Sequence, residues 1–106
     1  MQDENWKYTK EYIQHILSLV QPKLNNDSFE SVNHYLKYDE YEMAFEGLFL
    51  EIMKMQEIPK IDFYKSREIG EFLKLNEESV FDFEFWEKFE NFLAINSRYL
   101  DSDDRL

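Results

Sequence analysis

The strongest structural signal in the chain is residues 41–55, YEMAFEGLFLEIMKM. Its apolar residues recur at steps of three and four, the spacing that lines one face of an α-helix: Tyr41, Ala44, Phe45, Leu48, Phe49, Ile52 and Met55. Gly47 lies within this stripe, at a cost of about 1 kcal/mol of helix propensity relative to alanine. The usual structural reason for such a glycine is close approach of a neighbouring helix. We therefore predict a central amphipathic helix with a partner packed at Gly47.

A second helix precedes this segment. Asp27 followed by Glu30 has the spacing of a capping box, so the pattern predicts a helix that begins at Asp27 and reaches about Tyr38. Its apolar face consists of Phe29, Val32, Tyr35 and Leu36. Only Asp39 and Glu40 separate this helix from the next one. Such a short connection predicts a tight antiparallel helical hairpin at the centre of the fold.

Helical spacing continues on both sides of the hairpin. Residues 4–20 carry one apolar stripe, and Pro22 marks the end of that helix. A fourth helix begins near Asp62, with Gly70 allowing close packing. The apolar residues of these two helices are Trp6, Ile13, Ile16, Leu17 and Val20, and then Tyr64, Ile69, Phe72 and Leu73.

Residues 80–93 are ambiguous between strand and helix. Phenylalanines and acids partly alternate from Val80 to Phe85, as in a strand. A helical stripe overlaps them, formed by Phe85, Trp86, Phe89, Phe92 and Leu93. A lone strand would have no partner in a helical chain, so we predict a helix capped by Asp82, with the aromatic residues from Phe81 to Phe92 in the core. Residues 97–106 are predicted to be a frayed acidic tail.

Length and composition agree with this pattern. The chain has 106 residues, 43% of them hydrophobic, which suits one globular domain. It contains no cysteine, which excludes disulfides and thiol chemistry, and no apolar run long enough to span a membrane. The prediction is an all-α, single-domain bundle of four or five helices over residues 1–106, located in the cytoplasm.

The acidic residues are concentrated in patches. The formal net charge is −11, which argues against binding nucleic acid or an anionic membrane. Residues 39–53 hold five acids and no lysine or arginine. Within them, Glu42 and Glu46 are four residues apart, and we expect them to share a face opposite Phe45 and Phe49. That face is either a solvated surface or an anionic surface for a basic partner. Tyr38, beside the turn, is the tyrosine expected to stay outside the core.

Sequence patterns typical of catalysis or metal binding are missing. The Glu11–His15 and Glu30–His34 pairs have a spacing of four, whereas di-iron helical bundles use Glu-x-x-His. The serines lack a glycine-framed nucleophile elbow, and the two glycines are too far apart to form a phosphate loop. We therefore predict a protein that is not an enzyme and has no catalytic residue, metal or cofactor.

The run from Tyr35 to Leu48, YLKYDEYEMAFEGL, resembles the central helix–turn–helix of small, acidic, all-α bacterial immunity proteins. The pattern is similar to that of the MafI-type proteins and relatives that accompany polymorphic or contact-dependent inhibition toxins. Ile69-Gly70 and the later Phe85-Trp86 fit the same plan, so the resemblance covers roughly residues 12–93. The acidic tail and the phenylalanines near Phe81 depart from it, which leaves the class of toxin open.

This resemblance implies a protein that binds and neutralises a toxin domain, which we expect to be a basic nuclease. Inhibition would be steric and electrostatic, with acids standing where the toxin expects phosphate. The residues predicted to bind this partner are Tyr38, Asp39, Glu40, Glu42 and Glu46. If they do not, the next candidates are Glu84, Glu87 and Glu90 on the last helix.

Two alternatives remain. One is a non-catalytic helical adaptor or structural subunit, marked by an exposed apolar stripe and weak salt dependence. The other is a nucleic-acid mimic that blocks a DNA-binding protein. The oligomeric state is not predicted.

Overall fold

Five α-helices make up the described part of the chain, which comprises the backbone of residues 2–104 and the side chains of residues 4–96 in a computed structural model. They are α1 (Gln2–Val20), α2 (Asn26–Lys37), α3 (Tyr41–Ile52), α4 (Phe63–Phe72) and α5 (Phe85–Asp104). A single 3₁₀ turn, Gln21–Lys23, contains Pro22 and follows α1. Residues 2–104 contain no strand, so the predicted all-α fold is confirmed and the ambiguous segment is helical from Phe85.

Helix α3 lies at the centre of the bundle, in contact with α1, α2 and α5. Its side chains Phe45 and Phe49 are buried and lie 4.7 Å apart between ring centroids. Phe89 of α5 meets both edge-on, at 5.6 and 5.1 Å, and stacks on Phe85. These offset and edge-to-face pairs place the predicted aromatic stripes of α3 and α5 in one core.

Capping side chains explain where α2 and α4 begin. The predicted cap of α2 is wrong by two residues: Asn25, not Asp27, is in the extended conformation and accepts the Ser28 N–H at 2.8 Å. Asp27 lies in the first turn, where its negative charge favours the helix dipole. Helix α4 begins next to Asp62, as predicted, and Asp62 caps it by accepting the Lys65 N–H. Asp82 accepts the Glu84 N–H at 2.9 Å, in the turn just before α5.

The two glycines have different surroundings. A methyl group on Gly70 would lie 2.8 Å from Cζ3 of Trp86, so the predicted close packing of α4 against α5 is confirmed. A methyl group on Gly47 would lie 3.7 Å from Phe81, an ordinary contact distance. The expectation for Gly47 is therefore wrong: the nearest atom belongs to a loop residue, and the space accommodates a side chain.

Several aromatic residues are more exposed than predicted. Phe83 is 91% exposed, Phe81 is half-exposed, and Tyr64 is 76% exposed. Phe81 and Phe83 lie before α5 begins, outside its buried stripe, so the prediction that the whole aromatic segment is core is wrong at these two positions. The predicted tail overlaps the end of α5, whose backbone is helical to Asp104. The side chains of residues 97–106 lie outside the described residues, so fraying there stays a prediction.

Candidate functional site

The connection between α2 and α3 is a tight turn closed by backbone hydrogen bonds. Asp39 has a positive φ of 59°. The Glu40 N–H donates to the Tyr35 carbonyl at 2.8 Å, and the Asp39 N–H donates to the Leu36 carbonyl at 3.2 Å. This pair of bonds is a Schellman motif, which usually places glycine at the left-handed position. The predicted tight hairpin is therefore present, with aspartate where glycine is usual.

Side chains join this turn to α1. The Tyr41 hydroxyl donates to Asp39 Oδ1 at 2.8 Å, and Lys10 Nζ lies 4.0 Å from the same oxygen. The Tyr41 ring stacks on Trp6, which also meets Phe72 of α4 edge-on. Burial raises the pKa of the Tyr41 hydroxyl, and its hydrogen bond to Asp39 raises it further. The turn is thus held in one orientation on the bundle.

Four of the five predicted partner-binding residues lie together on this turn. Tyr38 is 58% exposed, and Asp39 is also exposed. Glu40 and Glu42 are half-exposed. None of the ion pairs among the described side chains involves Glu40 or Glu42. We call this surface, formed by Tyr38, Asp39, Glu40 and Glu42, the hairpin tip.

The fifth residue, Glu46, does not belong to this surface. Its exposed fraction is 0%, so the prediction that it lies on a solvated face and contacts a partner is wrong. Oε1 accepts the Val80 N–H at 2.7 Å. Oε2 accepts the N–H groups of Phe81 and Asp82, both at 2.8 Å. These three donors meet the hydrogen-bonding needs of a buried carboxylate.

Helix geometry explains the error. Successive residues are about 100° apart around a helix, so Glu46 lies only about 60° from Phe49 and not opposite it. Met43, Leu50 and Met53 also place apolar side chains on the remaining faces of α3. A helix that is apolar on most faces is a buried helix. That feature was the available signal that a glutamate at its middle would be enclosed.

A groove of about 910 Å³ lies between α2, α3, α5 and the segment 80–82 that Glu46 holds. Phe81 forms one wall, 6.0 Å from Tyr35 between ring centroids. Two lysines border the groove, and both are paired. Lys54 lies 3.2 Å from Glu51, and Lys88 lies 2.7 Å from Asp82. The hydrogen bond from Lys88, together with the Glu84 N–H, lowers the pKa of Asp82.

The described residues contain no cluster of three or more His, Asp or Glu side chains arranged to hold a metal ion. Among the same residues, no helix is both long enough and apolar enough to cross a membrane. Within residues 4–96, the acidic hairpin tip and the groove are both candidate binding surfaces.

Comparisons with models of known protein families, with curated proteins and with solved structures find no match to this chain. The resemblance to immunity proteins accordingly stays a prediction that depends on residues 35–48 and the later helices.

Proposed function

We propose that this protein is a non-catalytic inhibitor that binds and neutralises a basic toxin domain in the cytoplasm. The toxin class expected from the resemblance is a nuclease, whose phosphate-binding cleft is basic. An acidic surface that occupies this cleft, or a patch beside it, would exclude the substrate. Complementary charge would also speed the encounter and select the partner.

The observation that carries the proposal is the composition of the hairpin tip. An exposed aromatic ring, Tyr38, lies among the carboxylates of Asp39, Glu40 and Glu42. Tyrosine can supply apolar contact area with a polar end, a combination enriched at interface hot spots. The turn is already fixed by the Schellman bonds and the Trp6–Tyr41 stack, so little conformational entropy would be lost on binding.

The last helix is a weaker candidate for the same role. Glu90 lies 2.7 Å from Arg67, and Glu84 lies 3.8 Å from Lys88. These two carboxylates already have cationic partners within the chain, and Glu87 is the one acid of the three predicted on this helix that is in none of the described ion pairs. At the hairpin tip Asp39 is paired with Lys10 at 4.0 Å, whereas Glu40 and Glu42 are in none of the described ion pairs. A basic partner would gain more at the hairpin tip.

The groove favours the alternative of a helical adaptor. An adaptor would bind through apolar area, so its affinity would change little with salt. A nucleic-acid mimic shares the charge logic of the inhibitor and differs only in its partner. The salt dependence of binding distinguishes the inhibitor from the adaptor. The identity of the captured protein distinguishes the inhibitor from the nucleic-acid mimic.

The test is a pull-down from the native host at low and high salt. We expect one basic protein, with toxic nuclease activity that the captured complex lacks, to be recovered at low salt and lost at high salt. The variant Glu40→Lys/Glu42→Lys should lose this protein. Its matched control is Glu77→Lys/Glu78→Lys, which makes the same change of net charge at two exposed acids between α4 and α5. Recovery that is indifferent to salt, or equal loss in both variants, would refute electrostatic inhibition through the hairpin tip.

A further inference from the structure

The groove between α2, α3, α5 and residues 80–82 has the form of a helix-binding site. We propose that it binds an amphipathic helix of the partner, with apolar side chains against the groove and Lys or Arg at its edges. This inference rests on the proposed function only for the source of that helix. The surface itself is different from the hairpin tip and can be tested separately.

The two helix segments that line the groove are each about two turns long. Its lining runs from Asp27 to Tyr35 along α2 and from Lys88 to Asn96 along α5. Eight residue steps at 1.5 Å each span about 12 Å on either side. A long groove walled by helices is the setting in which amphipathic helices bind through side chains at positions i, i+3, i+4 and i+7.

The surface of the groove is apolar where such side chains would lie. Val32, Leu50 and Phe92 line it from three different helices. Val32 and Phe92 are buried in the core, so the accessible apolar area comes mainly from Leu50 and two residues at the border. Phe81 and Ile95 border it and are 50% and 60% exposed. These exposed apolar groups lie beside a concave surface, where an apolar side chain of a partner could cover them.

One wall of the groove is fixed before anything binds. Phe81 and its two neighbours, Val80 and Asp82, donate their N–H groups to the buried Glu46 carboxylate. A partner would therefore not need to order this segment, which lowers the entropic cost of association.

The negative charge at the border of the groove favours a basic helix as its occupant. Lys54 and Lys88 are neutralised by Glu51 and Asp82. The exposed acids Asp27 and Glu30 at the α2 end leave the border with an excess of negative charge. Basic residues on the bound helix would complement these acids. A second copy of this chain would bring its own net charge of −11, and the like charges would repel.

The experiment uses a fluorescein-labelled peptide of leucine and lysine, with leucines at i, i+3, i+4 and i+7, and a scrambled peptide of the same composition. Fluorescence anisotropy measures the Kd of each for the full-length protein. Ile95→Lys places a charge in the groove, and Tyr64→Lys makes the same charge change at another exposed apolar residue, outside the groove. We expect Ile95→Lys and scrambling each to raise Kd by about tenfold or more, and Tyr64→Lys to change it less than about twofold. Amide shifts on titration should concentrate at Gly47 and Leu50.

Three results would overturn the proposal. They are equal affinity for the ordered and scrambled peptides, equal effects of Ile95→Lys and Tyr64→Lys, and absence of binding at millimolar peptide. A dimer that Ile95→Lys dissociates in analytical ultracentrifugation would assign the groove to a second copy instead. If the peptide binds as expected but the host pull-down yields no toxin, the proposed function fails while the groove assignment stands. If only the peptide experiment fails, inhibition through the hairpin tip is unaffected.

Discussion

The short α2–α3 turn and the long α4–α5 connection begin with the same backbone motif, but different contacts stabilise the residues that follow it. The α2–α3 turn and the α4–α5 connection both start with a Schellman motif, with Asp39 and Lys74 at positive φ of 59° and 62°. In the second motif the Leu75 N–H donates to the Gly70 carbonyl at 3.1 Å, and Leu75 is buried. The first connection then enters α3 at once. The second continues to Phe85 and depends on Glu46, a residue of a different helix.

This difference shows how connection length changes what stabilises a loop. Local backbone bonds close the short turn, because the N–H groups of Tyr38, Asp39 and Glu40 each have an acceptor within five residues. In the described structure, the N–H groups of residues 80–82 donate to no backbone carbonyl. Their N–H groups are satisfied by a carboxylate 34 to 36 residues earlier in the chain. The long connection is therefore the one that a single side-chain change can release.

The largest expected effect comes from breaking that contact. Glu46→Ala removes the acceptor of three N–H groups, and we expect it to lower the free energy of unfolding by about 2–4 kcal/mol, since the freed groups can partly turn to water. Glu42→Ala, one helical turn earlier, should change it by less than about 0.5 kcal/mol. Urea unfolding measures both.

If Glu46→Ala does not fold, Glu46→Gln provides the same test. Its amide nitrogen cannot accept a hydrogen bond, so at least one N–H of residues 80–82 loses its partner. Amide hydrogen exchange at Val80, Phe81 and Asp82 should speed up in this variant. Equal stability of the Glu42 and Glu46 variants would contradict the role of Glu46.

The two glycines, on α3 and α4, test how much space each helix leaves for a side chain at that position. Gly70→Ala places a methyl group 2.8 Å from the rigid Trp86 ring, and should destabilise the protein by about 1–3 kcal/mol. Gly47→Ala has ordinary contact distances and should stabilise it by about 0.5–1 kcal/mol through helix propensity. Thermal unfolding of the two variants should therefore shift Tm in opposite directions. Shifts of the same sign would show that the difference in space around them has no energetic consequence.

Glycine substitutions at the two positive-φ positions, Asp39 and Lys74, distinguish the energetic cost of backbone strain from the contribution of side-chain contacts. Lys74→Gly should stabilise the protein by about 1 kcal/mol, because glycine adopts positive φ without a steric penalty. Asp39→Gly gains less relief, because aspartate tolerates positive φ better than lysine. It also loses the acceptor of the Tyr41 hydroxyl, worth about 1 kcal/mol, so its net effect should be near zero or slightly destabilising. Urea midpoints compare them. A larger gain at Asp39 than at Lys74 would mean that the Tyr41 contact contributes nothing.

The smallest expected effects are changes in stability with pH, one in the acidic range at Asp82 and one in the basic range at Tyr41. The pKa of Asp82 is lowered by Lys88 and the Glu84 N–H, so its contribution is complete above the ordinary pKa of 3.8 and is lost as pH falls through the folded value. The pKa of Tyr41 is raised by burial and by Asp39. Its contribution is complete below the ordinary pKa of 10.0 and is lost as pH rises through the folded value.

Stability measured against pH for the wild type and two variants checks these signs. The difference between wild type and Asp82→Asn should shrink below pH 4, and the difference between wild type and Tyr41→Phe should shrink above pH 10. If the difference in stability between wild type and Tyr41→Phe shrinks in acid and not above pH 10, the predicted contribution of the Tyr41 hydroxyl to the hairpin is contradicted.

Much of the fold was accessible from residue spacing. The stripes in α1, α3 and α5 and the short Tyr38–Glu40 connection all depend on contacts within a few residues, which a linear pattern records. The first cap of α2 was misplaced because Asn25 and Asp27 are both good capping residues, and only backbone conformation distinguishes them. The exposure of Tyr38 and Asp39 followed from their place in a tight turn.

The apolar residues on most faces of α3 indicate that Glu46 is enclosed, but spacing could not show which segment encloses it. Helical periodicity states which residues share a face, but not whether another segment covers that face. Here the covering segment is residues 80–82. Its N–H groups donate to Glu46, so a residue that looked like a surface acid is a buried hydrogen-bond acceptor. The groove has the same origin, since its walls come from α2, α3, α5 and Phe81. Local propensity therefore accounts for the helices and the hairpin, whereas the buried carboxylate and the groove exist only because residues distant in sequence meet in the folded chain.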